Sequence, residues 1–242
     1  TDTGVGGEVV GNYCTWNPIY PSDITLTDGN LKVTSPSGSD RSVIGTIGVS
    51  SGKWYWELTR SLQNYDYLGV AEFDHPPSNY GGQSGSNSCA IECDSTGFAQ
   101  PYNGDIATSS GTVAAGTFSS TSVIGLALDL DSTPKTLKYY NNGTLLSALT
   151  KTITSTNTLF PLHAIYVAAN NNEAVYNFGQ RPFAYPLSGY KCLCTANLPD
   201  PTIADGSKYF DTKLWSGNCY MDRQWSSKKH YRLKSQNRTG LG

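Results

Sequence analysis

Short runs in which apolar and polar residues alternate, separated by turn residues, dominate the chain up to about position 190. Ile24-Thr25-Leu26-Thr27 and Leu31-Lys32-Val33-Thr34 alternate with period two and are divided by Asp28-Gly29-Asn30, a pattern that predicts a hairpin. Along Lys53–Thr59, Trp54, Trp56 and Leu58 fall on one face and Tyr55, Glu57 and Thr59 on the other, so one face of this strand is buried. Tyr67–Ala71, Ala90–Cys93 and Val123–Asp129 are short apolar runs suited to inner strands, and their glycines predict close packing or bulges. Thr136–Tyr140 and Thr144–Leu149 flank Asn141-Asn142-Gly143, where an Asn-Gly pair predicts a tight turn because both central positions need positive φ. Phe160–Tyr166 and Ala174–Phe178 complete the strand set, while Ser42–Val49 alternates less cleanly. No segment holds three turns of helical periodicity. The pattern predicts an all-β, mostly antiparallel sandwich.

The ends depart from this pattern. Thr1–Gly11 is Gly-rich with little to bury, which predicts an arm over residues 1–22 that is ordered when a partner holds it. From Pro182 onward, Pro186, Pro199 and Pro201 interrupt the periodicity, so the sandwich is expected over residues 23–190 and an extended docking tail over 191–242. Charge sharpens the division: residues 1–200 hold nine Lys and Arg against sixteen Asp and Glu, a balance of −7, whereas residues 201–242 balance at +5. A basic tail on an acidic body marks a segment that docks elsewhere. Its expected contacts are Arg223, Trp225, Lys228, Lys229, Tyr231 and Arg232, with an acidic protein favoured over nucleic acid because no compact nucleic-acid module surrounds them. No run of 18 apolar residues is present and the first ten residues lack a basic start and an apolar stretch, so neither a membrane span nor a signal peptide is expected. The six cysteines are scattered without paired C-x-x-C spacing, which predicts free thiols and no metal.

Three segments in order carry a family resemblance. Ser51-Gly52-Lys53-Trp54-Tyr55-Trp56-Glu57 comes first, and Ile124–Asp131 with Leu137-Lys138-Tyr139-Tyr140-Asn141-Asn142-Gly143 second. Leu159-Phe160-Pro161 followed by Val175-Tyr176-Asn177-Phe178-Gly179-Gln180-Arg181-Pro182-Phe183 comes third. Together, over roughly Asp23–Tyr185, they resemble the SPRY domain, a bent concanavalin-like β-sandwich. Gly189–Pro199 with Tyr209-Phe210-Asp211-Thr212 resembles the segment that follows SPRY units in bacteriophage structural proteins. The two resemblances imply a non-enzymatic virion structural protein, a tail fibre or capsid decoration. It would stand on the particle surface in multiple copies or as a homo-oligomer beside other virion proteins. Its SPRY module would recognise a host-surface glycan or protein. The alternative they leave open is a free-standing SPRY adaptor that binds a peptide, for which residues 191–242 are dispensable.

Candidate chemistry adds little catalysis to this picture. Glycosidases of concanavalin-like fold need carboxylates lined along one strand face, but Glu92-x-Asp94 and Asp129-x-Asp131 stop at Thr96 and Thr133 instead of continuing to a third. Asp131-Ser132-Thr133-Pro134 is read as a capped strand exit in preference to a calcium site, and no cofactor is expected. His75, His163 and His230 are isolated from one another and no G-x-S-x-G surrounds a serine. In SPRY relatives, loops at one end of the sandwich form the binding face. That points to the segments around Tyr65 and Tyr67, to His75, Asn79 and Tyr80, and to Tyr102 and Asn103 as ligand-binding positions, since tyrosines offer rigid apolar area with a polar tip.

Overall fold

The computed structural model describes residues 2–20, 22–34, 40–61, 65–97, 99–109, 118–166 and 173–200. The expected docking residues Arg223, Trp225, Lys228, Lys229, Tyr231 and Arg232 therefore lie outside the described residues. Over the described part the chain forms strands β1 (Thr25–Thr27), β2 (Lys32–Thr34), β3 (Arg41–Ile44), β4 (Lys53–Arg60), β5 (Asp66–Ala71), β6 (Ser88–Cys93), β7 (Ala99–Tyr102) and β8 (Ala107–Thr108). These are followed by β9 (Ile124–Asp129), β10 (Lys135–Asn141), β11 (Thr144–Leu145), β12 (Lys151–Ile153), β13 (Phe160–Ile165), β14 (Glu173–Asn177) and β15 (Lys191–Cys192). Helical structure among the described residues amounts to single 3-10 turns at Ser147–Leu149 and Thr195–Asn197.

The strands form two sheets. The larger runs β1-β2-β14-β4-β9-β10-β12-β8, with β11 paired to β10 and β15 to β4; the smaller runs β3-β13-β5-β6-β7. Neighbours are antiparallel except β15, which lies parallel to β4 beside Trp54 and Tyr55. Both predicted turns form, with positive φ at Asp28, Gly29 and Asn30 and at Asn142 and Gly143. Strand alternation sends Trp54, Trp56, Leu58, Leu126, Leu128, Tyr139, Tyr176 and Phe178 from the large sheet, and Leu68, Val70, Cys89 and Ile91 from the small one, into a shared core. Gly69 is required by the tightness of the small sheet, since a Cβ there would sit 1.9 Å from the Cys89 carbonyl oxygen. Cys14, Cys89, Cys93, Cys192 and Cys194 are buried free thiols.

Both expected boundaries are corrected. The arm is held by the chain itself: Gly7 N–H donates to the Gly179 carbonyl (2.7 Å), Phe183 N–H to the Val5 carbonyl (2.8 Å), and the Asp2 carboxylate accepts from the Cys192 and Gly4 amides. Positive φ at Gly4 and Gly6 permits this approach, because a Cβ at either would fall within 2.6 Å of a carbonyl oxygen of residues 190 or 181. Further along the same segment, Cys14 and Trp16 are fully buried. At the other end the compact unit runs to Pro199, not Tyr190. Leu193 and Cys194 are fully buried, and the backbone of 193–195 exchanges hydrogen bonds with Cys14, Phe178 and Asn12. The sequence hid this because a two-residue strand shows no periodicity. A chain ending at Tyr190 should therefore be about 3 kcal/mol less stable in urea unfolding than one ending at Asp200, mostly through loss of the Leu193 burial and its ladder bonds. Equal midpoints would refute this.

Candidate recognition face

The outer face of the small sheet carries a second apolar cluster, Ile44, Tyr67, Ala71, Ala90, Leu162 and Ala164, against which Tyr20, Tyr80, Tyr102 and Phe160 pack. Residues between β5 and β6 fold back over it. Gly81 rests directly on the strands, since a Cβ there would come within 2.9 Å of the Ala90 and Leu162 side chains. Register then sets the site: Tyr67 pairs with Glu92 and Glu92 with Gln100, while Tyr102 lies opposite Ala90, so all four side chains share the outward face.

The rings form a connected surface. Tyr67 lies 4.8 Å from Tyr80 and 5.4 Å from Tyr102, and Tyr80 meets Tyr102 at 6.0 Å and 87°. Tyr166 extends it, standing edge-on to Tyr80 at 5.6 Å and to Tyr65 at 6.2 Å. These edge-to-face contacts hold the rings in place and leave Tyr65 and Tyr166 exposed at the rim. At the centre, Tyr67 Oη donates to Glu92 Oε2, and Gln100 Nε2 donates to Glu92 Oε1 (3.1 Å) and to Tyr102 Oη (2.6 Å). Burial, then the Glu92 carboxylate, pushes the Tyr102 phenol up to about 12 and raises that of Tyr67 further, so both remain neutral donors at ordinary pH.

The structure thus brings together Tyr67, Tyr80 and Tyr102 of the expected positions, with Tyr65 joined through Tyr166. Three others fall elsewhere. His75 is 1% exposed, and neither ring nitrogen has a hydrogen-bond partner among the described residues. The His75-Pro76-Pro77 backbone is pulled onto the sheet by Tyr20 Oη, Ser42 Oγ and the Ser42 amide, which bond its three carbonyls, so the polar sequence around it does not make it a surface residue. Asn103 turns inward, its Oδ1 accepting from the buried Lys151 Nζ at 3.0 Å. Asn79 is half-buried with its amide bonded to the Pro76 carbonyl. Sequence reasoning missed Tyr166 and the role of Glu92. Tyr166 was within reach, because it continues the outward parity of Phe160, Leu162 and Ala164; Glu92 needed the cross-strand register.

The carboxylate pairs weighed for catalysis make the following contacts. Glu92 belongs to the tyrosine face, while Asp94 caps a turn by accepting from the Thr96 amide and hydroxyl, both at 2.8 Å. Asp129 closes the strand exit, accepting from the Asp131 and Ser132 amides and pairing with Lys53 at 2.9 Å. Its partial burial acts upward but is outweighed by Lys53 and Ser132, which hold the carboxyl down at about 2. A shallow groove on the outer face of the large sheet is lined by Glu57, Thr59, Val175 and Arg181, among others. Its carboxylate is already engaged, since Glu57 accepts from the Ala184 and Tyr185 amides and from Tyr55 Oη.

The SPRY domain family profile matches residues 53–181, more than half of the chain. The chain belongs to the SPRY family. The matched span opens at β4 and runs past β14, so it contains Tyr65, Tyr67, Tyr80, Tyr102 and Tyr166. Among solved structures, the SPRY domain of human HERC1 is 16% identical, with a TM-score of 0.50 over 66% of this chain and 96% of that one. The PSpry domain of TRIM65 is 18% identical, with a TM-score of 0.48 over 69% of this chain and 90% of that one. At 16% identity, the likeness to the first is one of fold. SPRY domains are protein-interaction modules, generally without catalytic activity, and protein recognition is the function that family membership carries here.

Proposed function

We propose that this chain is a non-enzymatic structural component of a bacteriophage particle whose SPRY module recognises a protein through the tyrosine face of its small sheet. The single observation that carries the recognition half is the contiguous set Tyr67, Tyr80, Tyr102, Tyr166 and Tyr65, with Glu92 and Gln100 among them. Rigid tyrosines, half-buried at Tyr80 and Tyr102 and exposed at Tyr65 and Tyr166, are the residue type enriched at protein interfaces. The virion half is supported by the resemblance of Gly189–Pro199 to segments that follow SPRY units in bacteriophage structural proteins, and by the opposed charges of residues 1–200 and 201–242. Display in many copies lets a modest single site suffice, because linked sites add avidity.

Two measurements test the halves separately. Proteomics of gradient-purified particles should find the chain at a fixed copy number; its absence from particles ends the virion reading. Particles carrying the double substitution Tyr80→Ala and Tyr102→Ala should adsorb to host cells at least about tenfold more slowly, as loss of central aromatic anchors does at protein interfaces. Unchanged adsorption by a correctly folded variant ends the recognition reading.

A further inference from the structure

The centre of the tyrosine face holds a carboxylate, Glu92, that forms no ion pair with any of the described residues. Glu92 is 8% exposed and its two oxygens receive neutral donors, the Tyr67 hydroxyl and the Gln100 amide. The cations of the described residues that form ion pairs are committed elsewhere: Lys32 to Glu173, Arg41 to Asp23, Lys53 to Asp129 and Arg60 to Asp66, and none pairs with Glu92. A carboxylate withdrawn from water and bonded to neutral groups alone keeps much of its desolvation cost, which an incoming cation relieves. The hydroxyl ends of Tyr67 and Tyr102 meet at this centre, and the faces of the clustered rings carry the negative side of the aromatic quadrupole. The wider field has the same sign, because residues 1–200 balance at −7.

We infer that this face selects a cationic side chain, the guanidinium of an arginine on a protein partner, seated on the outer faces of Tyr80 and Tyr102 with Glu92 as its counter-charge. Ring separations of 4.8 to 6.0 Å leave no room for a cation between the tyrosines, so it lies over them and not among them. A planar, weakly hydrated guanidinium suits this position better than an ammonium, since it stacks on a ring while its edge donates to carboxylate and phenol oxygens. The inference rests on the tyrosine face being the recognition surface and names the chemistry that the surface recognises.

The test titrates N-acetyl-arginine methylamide, and the uncharged citrulline analogue of the same shape, into the full chain labelled with carbon-13 in its tyrosine rings. The arginine compound should shift the Tyr80 and Tyr102 ring signals and bind at least about fivefold more tightly than the citrulline compound, as a partly desolvated cation–ring contact implies. Added salt should narrow that gap. Glu92→Gln keeps the shape and the acceptor for Tyr67 Oη, and should abolish the preference while leaving the remaining tyrosine spectrum in place. Equal binding of the two compounds, no shift at Tyr80 and Tyr102, or a preference that survives Glu92→Gln would each overturn the inference. A protein partner that requires Tyr80 and Tyr102 but ignores Glu92→Gln would sink the arginine inference and leave the recognition reading standing. A partner indifferent to both tyrosines would sink both.

Discussion

Replacing Arg60 by methionine is expected to lower the unfolding free energy by about 3–5 kcal/mol, the cost of breaking a buried ion pair from one side. Arg60 keeps the inward parity of Trp54, Trp56 and Leu58 on β4, and Asp66 keeps that of Leu68 and Val70 on β5, so the pair joins the two sheets from within. Nε lies 2.5 Å from Asp66 Oδ2 with both side chains at 0% exposure, and the guanidinium also donates to the Asp94 and Cys93 carbonyls. Methionine fills much of the same volume but leaves Asp66 charged in the core and those carbonyls short of a donor. Urea unfolding is the measurement, with an unchanged m-value showing that stability and not compactness has moved. The double variant Arg60→Met, Asp66→Leu should recover a large part of the loss, since removing both charges also removes the desolvation each suffers. A loss below about 1 kcal/mol for the single variant would place the pair with ordinary surface bridges and contradict its burial.

Acid should destabilise the fold well above the range in which carboxylates titrate. His163 is 1% exposed, its Nδ1 2.9 Å from Tyr176 Oη and its Nε2 3.9 Å from Asp66. Burial holds it down at about 4, with Asp66 acting upward and Arg60 downward. Burial lowers His75 likewise to about 4, against the Asn79 backbone and Asp74, which act upward. For both, the unfolded chain takes up protons near 6.5 and the folded chain not until about 4, so unfolding is accompanied by proton uptake in that window. Stability is therefore full above the unfolded value and falls as the pH drops from about 6.5 to 4, by on the order of 3 kcal/mol for each histidine. Denaturation midpoints measured across this range should slope downward. His163→Asn, which retains a partner for Tyr176, and His75→Gln should each remove part of the slope. A flat profile through this interval would show that neither ring stays neutral in the fold.

The inner faces were readable because period-two alternation and large side chains coincide: Trp54, Trp56, Leu126, Leu128, Tyr139 and Phe178 all lie in the core that joins the sheets. The Asn142-Gly143 turn was equally readable, as its backbone demand is local. Register across strands was not, because the Tyr67–Glu92–Gln100 row depends on residues far apart in sequence meeting with the right offset. Burial of charge was missed for the opposite reason. Arg60 and Asp66 follow the parity of their strands, but a charged residue at a strand end is ordinarily taken to mark solvent, and only the opposing sheet shows where each finds its partner. His75 fell to a similar error, since its polar neighbours describe the loop and not the surface beneath it.

The clasp between the first residues and the strand at Lys191–Cys192 has a consequence for how such a module is mounted. Asp2 contacts both the Cys192 amide and the Asn197 side-chain amide, so the two ends of the compact unit meet at almost one point. That point adjoins Tyr55, on the outward side of the large sheet, whereas the tyrosines face away from the small one. A sandwich fastened this way behaves like a stud: joined to a scaffold through either strand of its base, it presents the same far side. It can also be spliced into a surface loop of another protein with little added closure entropy, because the host chain need not reach across the domain to resume its path.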